Sequence, residues 1–269
     1  MHQIIIEKIT IPYLKTERTL RIYLPPNYEE DLLFPVIYMH DAQNLYDVET
    51  SSYGAIWDVH THMNNYYKMH GQGHIVVGID NFEGRHNRLD EYSPWVNTTI
   101  KEDELLQGIH EDVGGLGDDY VDFLVKVLKP YIDNKYKTKK DRTSTSIIGS
   151  SMGGLISLYA GMKYPEIFSR VGAFSTAAWF AEKDLLMALK DYQNELVTKW
   201  YLDIGTNESS NDKRDDFDDL YLTGTQKIYD ILREKVADEN LMLVIDKGGI
   251  HNEKDWSKRF PAAIEFLLK

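Results

Sequence analysis

Short apolar, β-branched runs recur along this chain with longer amphipathic stretches between them, and that alternation restricts the fold more than any other feature. "TLRIYL" (19–24) and "FPVIYMH" (34–40) lie close together, with Pro25, Pro26 and Asn27 supplying turn chemistry between them. "HIVVGID" (74–80), "TSTSIIG" (143–149), "RVGAFS" (170–175), "KWYLDIG" (199–205) and "LMLVID" (241–246) follow. Several are almost continuously apolar, as strands covered on both faces are. Between them "DDYVDFLVKVLKPYIDNKY" places Tyr120, Phe123, Leu124, Val127, Leu128 and Tyr131 on one helical stripe, and "LISLYAGMKYP" and "GTQKIYDILREKVADEN" also read as helices. Strand, helix, strand in repetition predicts an α/β fold, with a mostly parallel central sheet and helices on both faces. No repeat, low-complexity tract or Gly/Ser linker divides the chain, so 1–269 is expected to form a single domain. The least regular piece, 81–116, is rich in polar and aromatic residues and is expected to be a functional loop or cover.

Composition narrows the chemistry. The absence of cysteine rules out disulfides, thiolate metal sites and a cysteine nucleophile. At 269 residues and 42% hydrophobic content, a core can form without such staples. A formal net charge of −13 repels phosphate backbones and anionic membrane surfaces, so neither nucleic acid nor membrane is an expected partner. The first twenty residues hold only a three-residue apolar run, broken by Glu7 and Lys8. A soluble, cytoplasmic protein is expected.

At the end of the 143–149 run, Gly149-Ser150-Ser151-Met152-Gly153 fits Gly-x-Ser-x-Gly. Only Ser151 is in frame, because Ser150 would need glycine at 148 and finds Ile148. A strand-to-helix turn this sharp pushes one side chain into the open and needs small neighbours where backbone segments meet. Ser151 is the candidate nucleophile, and the Met152 backbone N–H points where an oxyanion would form. A serine hydroxyl needs a base, and the base an orienting acid. His251 is the only histidine after Ser151; those at 2, 40, 60, 62, 70, 74, 86 and 110 all precede it. For the acid, the loop after "KWYLDIG" offers Glu208 as the best placed, with Asp212, Asp203 and the 215–219 cluster as alternatives. A second oxyanion donor is expected from "HDAQNLYD", as the backbone N–H of Gln43 or else Ala42.

Taken together, "RTLRIYLPPNYEEDLLFPVIYMHDAQNLYD", "VVGIDNFEGRHNRLDEYSPW", the elbow region around "SIIGSSMGGLISLYAGMKYPEIFSRVGAFS", "YLDIGTNES" and "GGIHNEKDWSKRFPAAIEFL" resemble the esterase-D-like branch of the α/β-hydrolases. That branch includes feruloyl and acetyl xylan esterases of carbohydrate esterase family 1, S-formylglutathione hydrolases, siderophore trilactone esterases and mycolyl transferases. The resemblance implies an α/β-hydrolase fold, Ser151 as nucleophile, His251 as base, Glu208 as acid, and Gln43 and Met152 as oxyanion donors. Two departures stand out: Ala42 where many relatives carry glycine, and Glu208 where feruloyl esterases often carry aspartate.

The expected activity is serine carboxylic ester hydrolysis of a small-molecule ester with a short acyl chain, an acylated sugar or a phenolic group. A siderophore trilactone is the alternative substrate. No cofactor and no metal are expected. Trp57, Arg88, Trp179 and Trp256 are candidate substrate contacts, since aromatic and cationic side chains near the site could hold an acyl group or a sugar. Trp95 is expected near the site as well, and Arg88 with Glu91 could clamp a polar substrate or form a structural ion pair that fixes the 81–116 segment. Two rivals come from other classes. His60, His62, His86 and His110 could build a metal hydrolase, although the stretch bearing His60 and His62 reads helical, and two residues apart on a helix do not converge. A non-catalytic binding protein of the same fold is the other.

Overall fold

The computed structural model describes residues 3–81, 87–102, 109–193, 195–209 and 217–269. In chain order these form β1 (Gln3–Ile11), β2 (Thr16–Leu24), β3 (Val36–Met39), α1 (Val59–His70), β4 (Ile75–Ile79), α2 (Asn87–Glu91), β5 (Val96–Asn97) and β6 (Val113–Gly114). Then follow α3 (Gly117–Phe123), α4 (Lys129–Lys135), β7 (Thr145–Ser150), α5 (Met152–Lys163), β8 (Arg170–Phe174) and α6 (Glu182–Asp191). The chain ends with β9 (Lys199–Asn207), α7 (Phe217–Arg233), β10 (Leu241–Ile250) and α8 (Glu253–Leu268).

The main sheet runs β1-β2-β4-β3-β7-β8-β9-β10. Pairings from β4 through β10 are parallel, and only β1 with β2 and β2 with β4 are antiparallel. The mostly parallel α/β sheet expected from the sequence is therefore present. Period-2 alternation divides its side chains between two cores. On β3, Val36 and Tyr38 join the core beneath Tyr120, Leu128, Leu155 and Ile228, while Ile37 and Met39 join the one beneath Val59, Met63, Phe260 and Ile264. Helices α1 and α8 thus cover one face and α3 to α7 the other. The stripe expected from Tyr120 to Tyr131 is buried at Tyr120, Phe123, Leu124 and Leu128, and half-buried at Val127 and Tyr131. A π-helical turn at Leu124–Leu128 links α3 to α4.

Two features of this topology make a site. The chain leaves β3 for β4 on one side and later places β7 on the other. Loops departing in opposite directions open a crevice at the carboxyl ends of β3 and β7. The second feature is an irregularity in β10. From Asp246 to Ile250 it advances four residues while its partner β9 advances two, from Gly205 to Asn207. Gly248 takes φ 82° inside this bulge, and a Cβ on Gly205 would lie 2.2 Å from the Gly249 carbonyl oxygen. Glycines at these positions let the two strand ends close, which brings the residues after β9 and β10 together.

Of the expected cover at 81–116, the described part holds α2 and the two-stranded β5–β6 ribbon. Residues 82–86, with His86, and 103–108 lie outside the described residues, as does Asp212. Among the described residues no helix is long and apolar enough to cross a membrane.

Candidate active site

The serine sits where β7 turns into α5. Ser151 has φ 58° and ψ −121°, a left-handed-side backbone that a non-glycine residue rarely adopts. The turn is held on both sides: Ser151 N–H donates to the Phe174 carbonyl (2.8 Å) and Ala177 N–H to the Ser151 carbonyl (3.1 Å). A Cβ on Gly149 would sit 2.5 Å from the Gly153 carbonyl oxygen and 2.7 Å from the His40 ring. Glycine at 149 is therefore demanded by backbone contact. At Gly153 the nearest atom would be His40 Cβ at 3.4 Å, an ordinary contact, so the motif's two glycines carry unequal constraint. Met152 opens α5, where a first-turn N–H has no intrahelical partner and the helix dipole favours negative charge.

At the other end of the crevice, His251 Nδ1 lies 2.6 Å from Glu208 Oε2. Glu208 is 1% exposed, and its Oε1 accepts from Ser175 Oγ (2.7 Å) and Gly205 N–H (2.5 Å). Burial works against its charge, but His251, Ser175 and the Gly205 N–H outweigh it and hold the carboxyl below the usual range. An ionised Glu208 takes the Nδ1 proton as its hydrogen bond, which leaves Nε2 as the acceptor. The imidazole is flanked by Tyr221 (centroids 4.7 Å apart) and Trp256 (4.9 Å, edge-on). Its loop is fixed by Asn252, whose side chain caps α8 at Asp255 N–H, and by Asp255, which accepts Ile250 N–H.

Of the sequence-stated alternatives for the acid, Asp203 takes another role. It is fully buried, lies 3.1 Å from Arg259 Nε and accepts from Tyr201. Burial pushes its carboxyl up, with Arg259 pulling the other way. Arg259 in turn donates to Ser175 Oγ (3.0 Å), which also accepts from Trp256 Nε1 (2.9 Å). Ser175, at φ 41°, thereby connects Asp203, Arg259 and Trp256 to Glu208. Sequence reasoning missed it, although its place right after the strand "RVGAF" resembles that of Ser151 after β7.

The loop after β3 forms the remaining wall. Asp41 adopts φ 55° and introduces a one-turn 3-10 helix, Ala42–Asn44. Its carboxylate is gripped by Arg88 (2.8 and 2.7 Å) and Asn81 (2.9 Å), and Arg88 outweighs burial to keep it below its ordinary pKa. Arg88 and Glu91 take different partners, since Glu91 binds Arg18 through both oxygens at 2.9 Å. Ala42 in place of glycine is accommodated by the neighbouring strand: a Cβ on Gly78 would lie 2.7 Å from the Ala42 methyl. Gln43 sits between Asp41 and Asn44, and its side-chain Oε1 accepts from Asn81 N–H.

These pieces enclose a cavity of about 230 Å³ lined by Ser151, His251, Asp41, Arg88, Trp57 and Trp256, with Asn44 and Glu253 also in its wall. Trp57, Arg88 and Trp256 thus share one cavity wall with Ser151 and His251. Trp179 does not line the cavity and packs on Phe217 and Tyr221 instead. Trp95 packs against Tyr159. Burial raises the Tyr221 phenol, and the Trp179 and Ser151 side chains near its oxygen pull it the other way. No Ser151–His251 hydrogen bond occurs among the described contacts, a common state for such a pair before substrate closes the site. Of the metal-rival histidines, His60 faces Asp58 and His62 bonds Ser257.

Glu253 is the wall's other carboxyl. It is 3% exposed, and its Oε1 accepts from Asn44 Nδ2 at 3.0 Å. Burial, reinforced by Asp41, pushes it up to about 7 against the helix-end N–H, Arg88 and Asn44. A folded-state pKa above the unfolded value contributes stability at low pH that is lost as pH rises through about 7. Glu253→Gln, which cannot ionise, is therefore expected to be more stable than wild type at pH 8. After allowance for water entering the cavity, the gain is on the order of 2 kcal/mol. The difference should vanish near pH 4.5, and urea unfolding midpoints at the two pH values measure it.

The chain is matched from residue 11 to 267 by the profile of the family described as "Putative esterase". Protein YbbA of Bacillus subtilis (strain 168) is 28% identical over 255 residues, covering 93% of this chain and 92% of its own. Among solved structures, a ferulic acid esterase superposes with a TM-score of 0.74 at 17% identity, over 100% of this chain and 98% of that one. An IroE-like serine hydrolase from Shewanella oneidensis gives 0.74 at 21% identity, over 98% and 80%.

Proposed function

Because the chain belongs to this esterase family, matched over nearly its whole length, we propose that it hydrolyses small carboxylic esters through Ser151, His251 and Glu208. Ser151 Oγ attacks the ester carbonyl while His251 Nε2 takes its proton, giving a tetrahedral intermediate. The proton then passes to the leaving alkoxide, the C–O bond breaks, and an acyl-Ser151 ester remains. Water, deprotonated by the same Nε2, attacks that ester and releases the acid and the free serine. Glu208 stays ionised throughout and stabilises the imidazolium. The Met152 and Gln43 backbone N–H groups receive the oxyanion, a contribution of about 3 kcal/mol per donor in sites of this type.

The observation that supports this reading best is that His251, held by Glu208 at 2.6 Å, lines the same cavity as a serine at φ 58°. The cavity's size suits a short acyl chain or a single ring. Trp57 and Trp256 offer flat apolar walls, and Arg88 offers the polar contact. Trp179, set behind Tyr221, acts on substrate only through that phenol.

The test is a panel of 4-nitrophenyl esters from acetate to octanoate, with methyl ferulate alongside, run before and after treatment with a fluorophosphonate. Turnover that disappears as one phosphonyl group attaches to Ser151 is the expected result. Turnover that survives stoichiometric labelling there would remove Ser151 from the mechanism.

A further inference from the structure

Glu253 has no structural duty that demands a carboxyl. The start of α8 is already capped by Asn252, and Ile250 N–H is already taken by Asp255. Among the described residues the cation beside it, Arg88, is held through two nitrogens by Asp41. Besides its own backbone N–H, its partner among the described residues is the neutral amide of Asn44, which is itself fixed because its Oδ1 accepts Ser52 N–H. A carboxyl buried with so little compensation is costly to keep. It stands in the wall of the cavity that holds Ser151 and His251.

We propose that Glu253 recognises a hydroxyl group carried by the ester substrate, which would make hydroxylated esters the preferred class. The inference rests on the serine esterase reading above. With Oε1 engaged by Asn44, Oε2 is the oxygen left for a ligand. As a carboxylate it accepts a hydrogen bond from a substrate O–H; as a carboxylic acid it donates one to an ether or carbonyl oxygen. The charged and titratable groups around it in the cavity are Asp41, Arg88, Tyr53 and His251. Burial, reinforced by Asp41, raises it, and its own N–H, Arg88 and Asn44 lower it, so that the exchange between acceptor and donor falls near pH 7.

The experiment compares kcat/KM for hydroxyl, methoxy and unsubstituted esters at pH 6 and pH 8.5. One set is the 4-nitrophenyl esters of 3-hydroxybutyrate, 3-methoxybutyrate and butyrate. The second set moves the substituent to the alcohol, as 2-hydroxyethyl, 2-methoxyethyl and propyl butyrate. Ratios at a common pH cancel the pH dependence of the chemical step that every substrate shares. In wild type the hydroxyl-to-methoxy ratio is expected to rise roughly tenfold from pH 6 to pH 8.5 in at least one set, because a charged acceptor binds a donor about twice as strongly and repels an ether oxygen. Glu253→Gln should make that ratio independent of pH. Glu253→Leu should reduce the hydroxyl preference over the unsubstituted ester by about tenfold or more.

A flat wild-type ratio in both sets, or an unchanged hydroxyl preference in Glu253→Leu, overturns the proposal. Thermal unfolding of both variants identifies one that has failed to fold, and the glutamine variant with the wild-type profile then decides alone. Ser151→Ala separates the two readings. If that variant hydrolyses plain butyrate as wild type does, the nucleophile assignment fails and this inference with it. If it is inactive while the wild-type ratio stays flat, the Glu253 proposal falls alone.

Discussion

Ser151→Ala is expected to lower kcat for ester hydrolysis by about 10⁴ to 10⁶-fold while leaving the fold intact. The variant loses the only atom that can form the acyl-enzyme, yet it keeps the Met152 and Gln43 N–H groups and the cavity walls. A residual rate above that of water should therefore persist, as it does when a nucleophile is removed and the oxyanion site stays. Alanine meets the same backbone strain at φ 58° as serine, so the unfolding midpoint should move little. Substrate should still bind, and KM should change less than kcat. Steady-state kinetics on 4-nitrophenyl butyrate, with urea unfolding run in parallel, measures both quantities. A variant with more than a few per cent of wild-type kcat would mean that another group attacks the ester.

The second large effect is expected at Glu208. Glu208→Gln preserves shape but presents an uncharged amide to His251 Nδ1, where a carboxylate now accepts at 2.6 Å. The imidazole then loses both the partner that selects its tautomer and the charge that stabilises its protonated form. A fall in kcat of about 10³ to 10⁴-fold follows from that change in comparable triads. Because Glu208 is held below the ordinary carboxylate range, its charge persists at neutral pH and above. The control is Asp203→Asn. Its carboxylate faces Arg259 and Tyr201 instead of His251, so kcat should fall less than tenfold although stability drops. Comparable losses in the two variants would show that the acid's role is shared through Arg259 and Ser175.

Much of this arrangement was legible because it is local. Backbone hydrogen bonding and side-chain period are properties of neighbouring residues, so the β-branched runs located the parallel strands and the amphipathic stretches located α1, α3, α4, α5 and α7, while α6 and α8 went unread. The Gly-x-Ser-x-Gly turn is local too, and the contact that forbids a side chain at Gly149 comes from Gly153, four residues away. His251 is the candidate base by elimination, and Glu208 the best placed of several carboxylates around the end of the strand "KWYLDIG".

Other features depend on residues brought together from distant parts of the chain. Strand β1 pairs along its whole length with β2, but its own residues alternate too weakly to announce an edge strand. Arg88 pairs with Asp41, 47 positions away, and not with Glu91 three positions away, because the crevice beside β3 brings the loop after that strand against α2. Whether Ala42 could stand in for glycine depended on Gly78 in an adjacent strand. Trp57 and Trp256 reach the cavity while Trp179 lies one layer behind it, a difference set by helix packing and not by residue type.

The sequence by itself determined the sheet's character, the sharp serine turn and the short set of residues proposed as base and acid. Only the tertiary structure decided which carboxylate meets His251, which aromatic rings line the cavity and where Glu253 is buried. Turns and periodicity follow from short-range sterics, which a sequence carries directly. A carboxylate's partner and charge follow from burial and from groups dozens of residues away, which exist only after the chain has folded.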